Sequence, residues 1–112
     1  MPNPVRRVLL DENVDRLLKP LFDSDLDVVR VREHGWDGLK SGQLLRAASA
    51  EFDVFVTMDR SLQHQQNLGA LDLSVVVIRS VSNAFVEVAP LMPAGIEAVR
   101  AALPGAATVV SR

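Results

Sequence analysis

Two short acidic segments in this chain each come directly after an apolar run. Val8-Leu9-Leu10 is followed by Asp11-Glu12-Asn13, and Val54-Phe55-Val56-Thr57-Met58 is followed by Asp59-Arg60. Apolar runs of this length, bounded by polar residues, are typical of strands that are buried on both faces of a parallel sheet. Ligands of open parallel sheets bind beyond the carboxyl ends of the strands, where the strand order reverses. If the two strands are neighbours, Asp11 and Asp59 meet at that place.

The chemistry that such a pair of acids supports is metal-assisted hydrolysis. Facing carboxylates repel each other unless a proton or a cation lies between them. Mg²⁺ and Mn²⁺ prefer oxygen ligands and are often held by one or two carboxylates together with water and substrate phosphate. Asp11, Glu12 and Asp59 are therefore the candidate catalytic residues of a phosphodiester hydrolase, with Asp11 and Asp59 as metal ligands. An aspartate after a strand also commonly starts a turn or caps a helix, so that interpretation stays open.

Several other side chains are candidates for supporting roles. Asn13 could contact water on the metal or cap a helix, and Trp36 could stack on a base or fill the core. His34 could act as a base or ligand, or could simply be exposed. Arg60 could hold a substrate phosphate or simply lie on an exposed face. The amides of Gln65-Gln66-Asn67, with Gln66 as the accessory candidate, could read a base or lie on a solvated surface.

Composition limits the classes of protein to consider. The 112 residues are 48% hydrophobic with a net charge of -2, which predicts one domain, residues 1–112, around a packed core. That charge is not typical of a protein that coats nucleic acid through its backbone. The absence of cysteine excludes disulfides and thiolate metal sites. The sequence has no secretory signal, and no apolar run approaches the length of a membrane span, which is about 20 residues. It therefore predicts a cytoplasmic protein with no membrane partner.

Strand and helix patterns alternate along the chain. Apolar runs predict strands near residues 6–10, 27–32, 54–58, 73–78 and 107–110. Apolar stripes at helical spacing predict helices capped by Asn13, by Ser41 and by Ser82 or Asn83. Pro20 should kink or shorten the first of them, and Pro90 and Pro93 should divide or kink the last. Such alternation predicts an α/β fold, a three-layer α/β/α sandwich around a mostly parallel sheet of four to five strands.

Three segments, taken in order, resemble the PIN-like domains. They are Leu9-Leu10-Asp11-Glu12-Asn13, then Gly35-Trp36-x-Gly38-Leu39, then Val56-Thr57-Met58-Asp59-Arg60 with Gln65-Gln66-Asn67 after it. The chain looks most like the short bacterial VapC-like or toxin-like branch, and the likeness covers nearly its whole length. The resemblance implies a Mg²⁺- or Mn²⁺-dependent ribonuclease with Asp11 and Asp59 among its clustered acids. It also implies RNA as substrate, a cognate antitoxin as partner and a homodimer.

One position departs from the PIN-like pattern. Such domains usually carry an acid at the start of the helix before the third strand, where this chain has Gln43. An amide can bind a metal through its carbonyl but brings no charge, so we expect metal binding to be weak. Asp37 could substitute if its loop folds inward. The sequence thus predicts a toxin endoribonuclease, with a catalytically weak or inactive PIN-like binding module as the alternative and a small phosphatase using the same acids as a third hypothesis.

Overall fold

The protein folds around one sheet of parallel strands. The computed structural model describes residues 6–65 and 67–111. In that part of the chain five strands pair in the order β2-β1-β3-β4-β5, every neighbouring pair being parallel. Their bounds are β1 Arg7–Leu10, β2 Asp27–Arg30, β3 Val54–Thr57, β4 Ser74–Ile78 and β5 Ala107–Val110. The predicted α/β sandwich is confirmed, with a sheet that is parallel throughout.

The central strands are buried on both faces because nearly all their side chains are apolar. Every residue of β3 and β4 is buried, and alternate side chains of these strands point into different cores. The first core receives the strand residues Val8, Leu10, Val54, Val56, Val76 and Ile78. The second core receives Leu9, Phe55, Val75 and Val77.

Helices cover both faces and complete the three layers. Their bounds are α1 Ser41–Glu51, α2 Leu62–Gln65, α3 Phe85–Val88 and α4 Met92–Ala101, with short 3-10 helices at Arg16–Leu21, Leu68–Ala70 and Ala89–Leu91. The first 3-10 helix, α3 and α4 pack on the first core through residues such as Leu18, Val88 and Val99. α1 packs on the second core through Leu44, Leu45 and Ala48. Among the described residues, no helix is both long enough and apolar enough to traverse a bilayer.

The predicted helix caps are wrong. The helix expected after Asn13 is a short 3-10 helix, Arg16–Leu21, and Asn13 is not its cap. The cap is Asp15, whose carboxylate accepts a hydrogen bond from the Leu17 N–H at 2.8 Å. Pro20 lies inside that helix and lacks the N–H that a longer α-helix would need. In the described part of the chain no side chain caps α1, which begins at Ser41, and α3 begins only after Ala84. Prolines do divide the last helical region, as the sequence predicts.

The strand order reverses between β1 and β3. The chain moves outward from β1 to β2, returns past β1 to β3, and then continues to β4 and β5. A sheet of this order binds ligands at the β1/β3 reversal, outside the carboxyl ends of the strands. Asp11 directly follows β1 and Asp59 lies two residues after β3, so the fold brings both acids to that crevice.

Candidate active site

Asp11 is fixed at the end of β1 by four hydrogen bonds, one of which its carbonyl accepts from the Val14 N–H at 3.0 Å. Its backbone N–H extends the β1–β3 ladder by donating to the carbonyl of Val56 at 2.9 Å. Its half-buried carboxylate accepts one bond on each oxygen, from the Thr57 hydroxyl at 2.7 Å and from the Glu12 N–H at 2.8 Å. Each oxygen keeps a further lone pair for a ligand. The carboxylate therefore has a fixed orientation and spare coordinating capacity.

The hydroxyl of Thr57 connects the two acidic segments. Thr57 is fully buried at the end of β3, and its Oγ accepts from the Asp59 N–H at 3.0 Å and from Asn13 Nδ2 at 3.3 Å. Because both of those partners are donors, the hydroxyl proton must go to Asp11. One buried oxygen thus uses its single donor and both acceptor positions. It holds the Asp11 side chain and the Asp59 backbone in one hydrogen-bonded unit.

The loop after β3 is held from two sides. Asn13 Oδ1 accepts from the Met58 N–H at 3.1 Å, so the Asn13 amide ties the loop after β1 to the loop after β3. Asp59 Oδ1 accepts from the backbone N–H of Ser61 at 3.0 Å and from its hydroxyl at 2.7 Å. Within the described residues Asp59 Oδ2 has no hydrogen-bond partner. Asp59 therefore also presents an oriented carboxylate with a free oxygen.

The site concentrates negative charge. Burial raises the pKa of the Asp11 carboxyl above its ordinary value of 3.8, and the nearby charges of Glu12 and Asp59 raise that pKa further. The bonds from Thr57 and from the Glu12 N–H act in the opposite direction, because they stabilise the ionised form. A cation bound beside Asp11 would relieve this repulsion.

The remaining acidic and amide candidates lie at the rim. Glu12 is exposed, and its Oε1 accepts from the backbone N–H of Gly38 at 3.1 Å, which brings the loop that carries Asp37 beside Glu12. Asp37 itself is exposed, and Gln43 is exposed in the first turn of α1. Gln66 lies outside the described residues.

Trp36 lies away from the acid pair. Its ring meets His34 edge-on at 4.4 Å and Phe52 at 5.9 Å between centroids. Phe52 directly follows α1, at the end of that helix opposite the Gln43 turn, and His34 bonds Glu51 there at 3.1 Å. The structure therefore brings Asp11, Glu12, Asn13 and Asp59 together, but groups Trp36 and His34 elsewhere.

Basic side chains lie beside the acids at the same edge of the sheet. Arg60 follows Asp59 directly and lines two neighbouring cavities, of about 390 and 340 Å³. Arg79, which comes directly after β4, lines both of them as well. The sequence interpretation missed Arg79, Thr57 and Ser61. A hydroxyl inside an otherwise apolar buried strand was the available signal for Thr57, since a buried hydroxyl needs partners.

The donor set fits a lightly held divalent cation. Among the described residues, no group of three or more His, Cys, Asp or Glu side chains is arranged to hold a metal ion. Two carboxylates with free lone pairs are nevertheless what Mg²⁺ commonly takes from a protein when water and substrate phosphate supply its other ligands. Asp11 and Asp59 are the residues that would hold such an ion.

Comparisons with known proteins do not identify a family for this chain, so any function must be inferred from the geometry of the site and from the sequence motifs. Neither the protein-family models, nor the curated proteins, nor the solved structures give a significant match to this chain.

Proposed function

We propose that this protein is a metal-dependent endoribonuclease of the PIN-like type. The observation that carries the proposal is the Asp11–Thr57–Asp59 unit, which holds two carboxylates at the crevice where the strand order reverses. If Asp11 and Asp59 only stabilised turns, neither carboxylate would need to keep an oxygen lone pair free for a ligand. The ordered motifs that resemble PIN-like domains support the same function, with RNA as substrate.

The protein's own residues have distinct roles in this proposal. Asp11 and Asp59 hold the cation, while Thr57 and Ser61 fix the direction of their carboxylates. Bound Mg²⁺ or Mn²⁺ supplies a lowered water pKa and neutralises phosphate charge. Glu12, at the rim, is placed to accept a proton or to bind water. Arg60 offers a guanidinium to a phosphate beside the acids.

Cleavage of single-stranded RNA tests the proposal. We expect the wild type to cleave it with Mn²⁺ and to stop when EDTA is added. Asp59→Asn should lower the rate by about 100-fold or more, the scale on which losing a catalytic group is felt. Asn at this position still accepts both Ser61 bonds through Oδ1, so the fold should persist. Asp72→Asn is the matched control, because Asp72 is an exposed acid just before β4, at the opposite edge of the sheet. Equal activity of wild type and Asp59→Asn would show a contaminant and refute the proposal.

The toxin role extends the proposal and rests on the likeness to the VapC-like branch. It predicts that expression of the wild type in the cytoplasm of a bacterium arrests growth, whereas Asp59→Asn does not. It also implies a cognate antitoxin that restores growth, and a homodimer. Normal growth with abundant folded wild-type protein would contradict the toxin role and leave the nuclease proposal to be judged by the cleavage assay.

Gln43 favours a second candidate, a PIN-like module that binds a partner and does not cleave RNA. The amide at this position adds no charge to the acid pair, and the nearby Asp37 is exposed at the rim. Calorimetric titration with Mn²⁺ separates the two candidates. Tight binding that Asp11→Asn abolishes refutes the inactive module, whereas no binding at millimolar Mn²⁺ favours it. Hydrolysis of a generic phosphomonoester without RNA cleavage would instead favour a phosphatase.

A further inference from the structure

Two arginines share a concave surface next to the acid pair. Arg60 and Arg79 line both neighbouring cavities, and Ser80 and Ser111 add hydroxyl groups to the larger one. Both arginines are exposed. Within the described part of the chain, neither guanidinium takes part in an ion pair or hydrogen bond. This surface therefore carries two guanidiniums that have no ion-pair partner among the described residues.

Three arginines elsewhere in the fold are satisfied by the protein. Arg7, at the opposite edge of the sheet, pairs with Asp27 at 3.1 Å and donates to the Glu51 carbonyl at 2.7 Å. Arg6 donates to the carbonyl of Ala102 at 3.0 Å. Arg100 binds a pair of aspartates on the surface. Arg60 and Arg79 differ from these three arginines in having no partner among the described residues, and from other unpaired arginines such as Arg46 in lining the same two cavities.

We propose that Arg60 and Arg79 form a phosphate-binding subsite for single-stranded RNA. The inference rests on the proposed function and extends it, because it names how the substrate is held beyond the scissile phosphate. Neighbouring strands lie about 4.8 Å apart, so the end of β4 is one strand further from the β1/β3 crevice than the end of β3. An RNA strand with one phosphate at Asp11 and Asp59 can thus place a flanking phosphate between the two guanidiniums, where arginine binds phosphate through paired hydrogen bonds.

The other residues of the surface make the proposal sharper. Glu87 lines the larger cavity together with Arg60 and Arg79, and its carboxylate would repel a bound phosphate. Val81 and Leu91 give the same cavity an apolar side, which a ribose or base can contact. Removing an arginine should therefore weaken binding, and removing the charge of Glu87 should strengthen it. A surface with no role in binding anions predicts neither change.

Binding of a labelled single-stranded RNA, followed by fluorescence anisotropy in EDTA at low salt, tests the subsite without cleavage. We expect Arg79→Ala to weaken binding about threefold to tenfold and to lower the salt dependence by about one counterion. Glu87→Gln should bind more tightly than the wild type. The matched control is Arg46→Ala, which removes an exposed arginine from the middle of α1 whose guanidinium has no partner among the described residues.

The outcomes separate the subsite from the nuclease proposal. Equal binding by Arg79→Ala and Arg46→Ala, or no RNA binding by the wild type, overturns the subsite, even if the wild type cleaves RNA with Mn²⁺. Specific weakening by Arg79→Ala supports the subsite, even if the cleavage assay finds no nuclease. Circular dichroism of each variant checks that the fold is unchanged. We expect no change from either arginine variant, because Arg46 and Arg79 are exposed.

Discussion

Replacing Thr57 by valine removes the hydroxyl that joins the two acidic segments but keeps the shape of the side chain. The change leaves the Asp59 N–H and Asn13 Nδ2 without an acceptor and takes a donor from Asp11 Oδ2. A net hydrogen bond is worth about 0.5–1.5 kcal/mol, and one to a charged group about 1.5–3 kcal/mol. Water can partly replace the lost partners, because Asp11, Asn13 and Asp59 are only half-buried. We expect the free energy of unfolding to fall by about 2–4 kcal/mol.

Thr57→Ser is the matched comparison. Serine keeps the hydroxyl and loses one methyl group from a fully buried position, which costs about 1 kcal/mol. If packing alone mattered, valine would be the better replacement. If the hydroxyl matters, serine is better. Urea unfolding at neutral pH should therefore give the order wild type, Thr57→Ser, Thr57→Val, with equal slopes against denaturant. A valine variant as stable as the wild type, or more stable than the serine variant, would refute the account of Thr57.

Three further predictions concern pH and backbone geometry. The folded protein binds the Asp11 proton more tightly than the unfolded chain does, so wild-type stability relative to Asp11→Asn should fall as the pH rises from 3.8 through the raised pKa. A difference in unfolding free energy between the two proteins that does not change with pH would contradict this. The Arg100 guanidinium lowers the pKa of the exposed Asp25 carboxyl. Arg100→Gln should therefore be less stable than the wild type above pH 3.8, and this difference should disappear as the pH falls below 3.8 and shrink in high salt. A difference that does not depend on pH would argue against the pair. Gly38 has a positive φ of 88°, which an L side chain rarely adopts, so Gly38→Ala should lower the free energy of unfolding by about 1–2 kcal/mol in thermal unfolding. Gly69→Ala should lower it less, because the φ of Gly69 is not positive. Equal losses would contradict the backbone argument.

The strands could be predicted because their burial is recorded directly in the sequence. A strand buried on both faces needs a run of apolar residues, and the segments at residues 8–10, 54–56 and 75–78 supply them. Pro20 predicts a kinked or shortened first helix, and the structure has a short 3-10 helix there. The cap of that helix could not be predicted, because Asn13 accepts a hydrogen bond from the Met58 N–H instead. A helix cap depends on the backbone path as well as on residue type.

The acids of the site could be predicted, but the residues that position them could not. Asp11 and Asp59 stand out because each follows an apolar run. The hydroxyl in an otherwise apolar strand marks Thr57 as a residue that needs partners, but only the sheet order shows that Asp11 is one of them. Arg79 resembles any surface arginine, and its place near Arg60 follows only from the pairing of β4 with β3. Trp36 could equally have covered the cleft, and only the fold shows that it contacts Phe52.

The central claim is that Asp11 and Asp59 bind one divalent cation between them. Crystals of the wild type and of Asp59→Asn, soaked in the same Mn²⁺ solution, test it through the anomalous signal of manganese. We predict one peak in the wild type, about 2.0–2.3 Å from a carboxylate oxygen of each aspartate, and a lost or much weaker peak in the variant. No peak between the two carboxylates at saturating Mn²⁺, or a peak that the variant keeps unchanged, would contradict the claim.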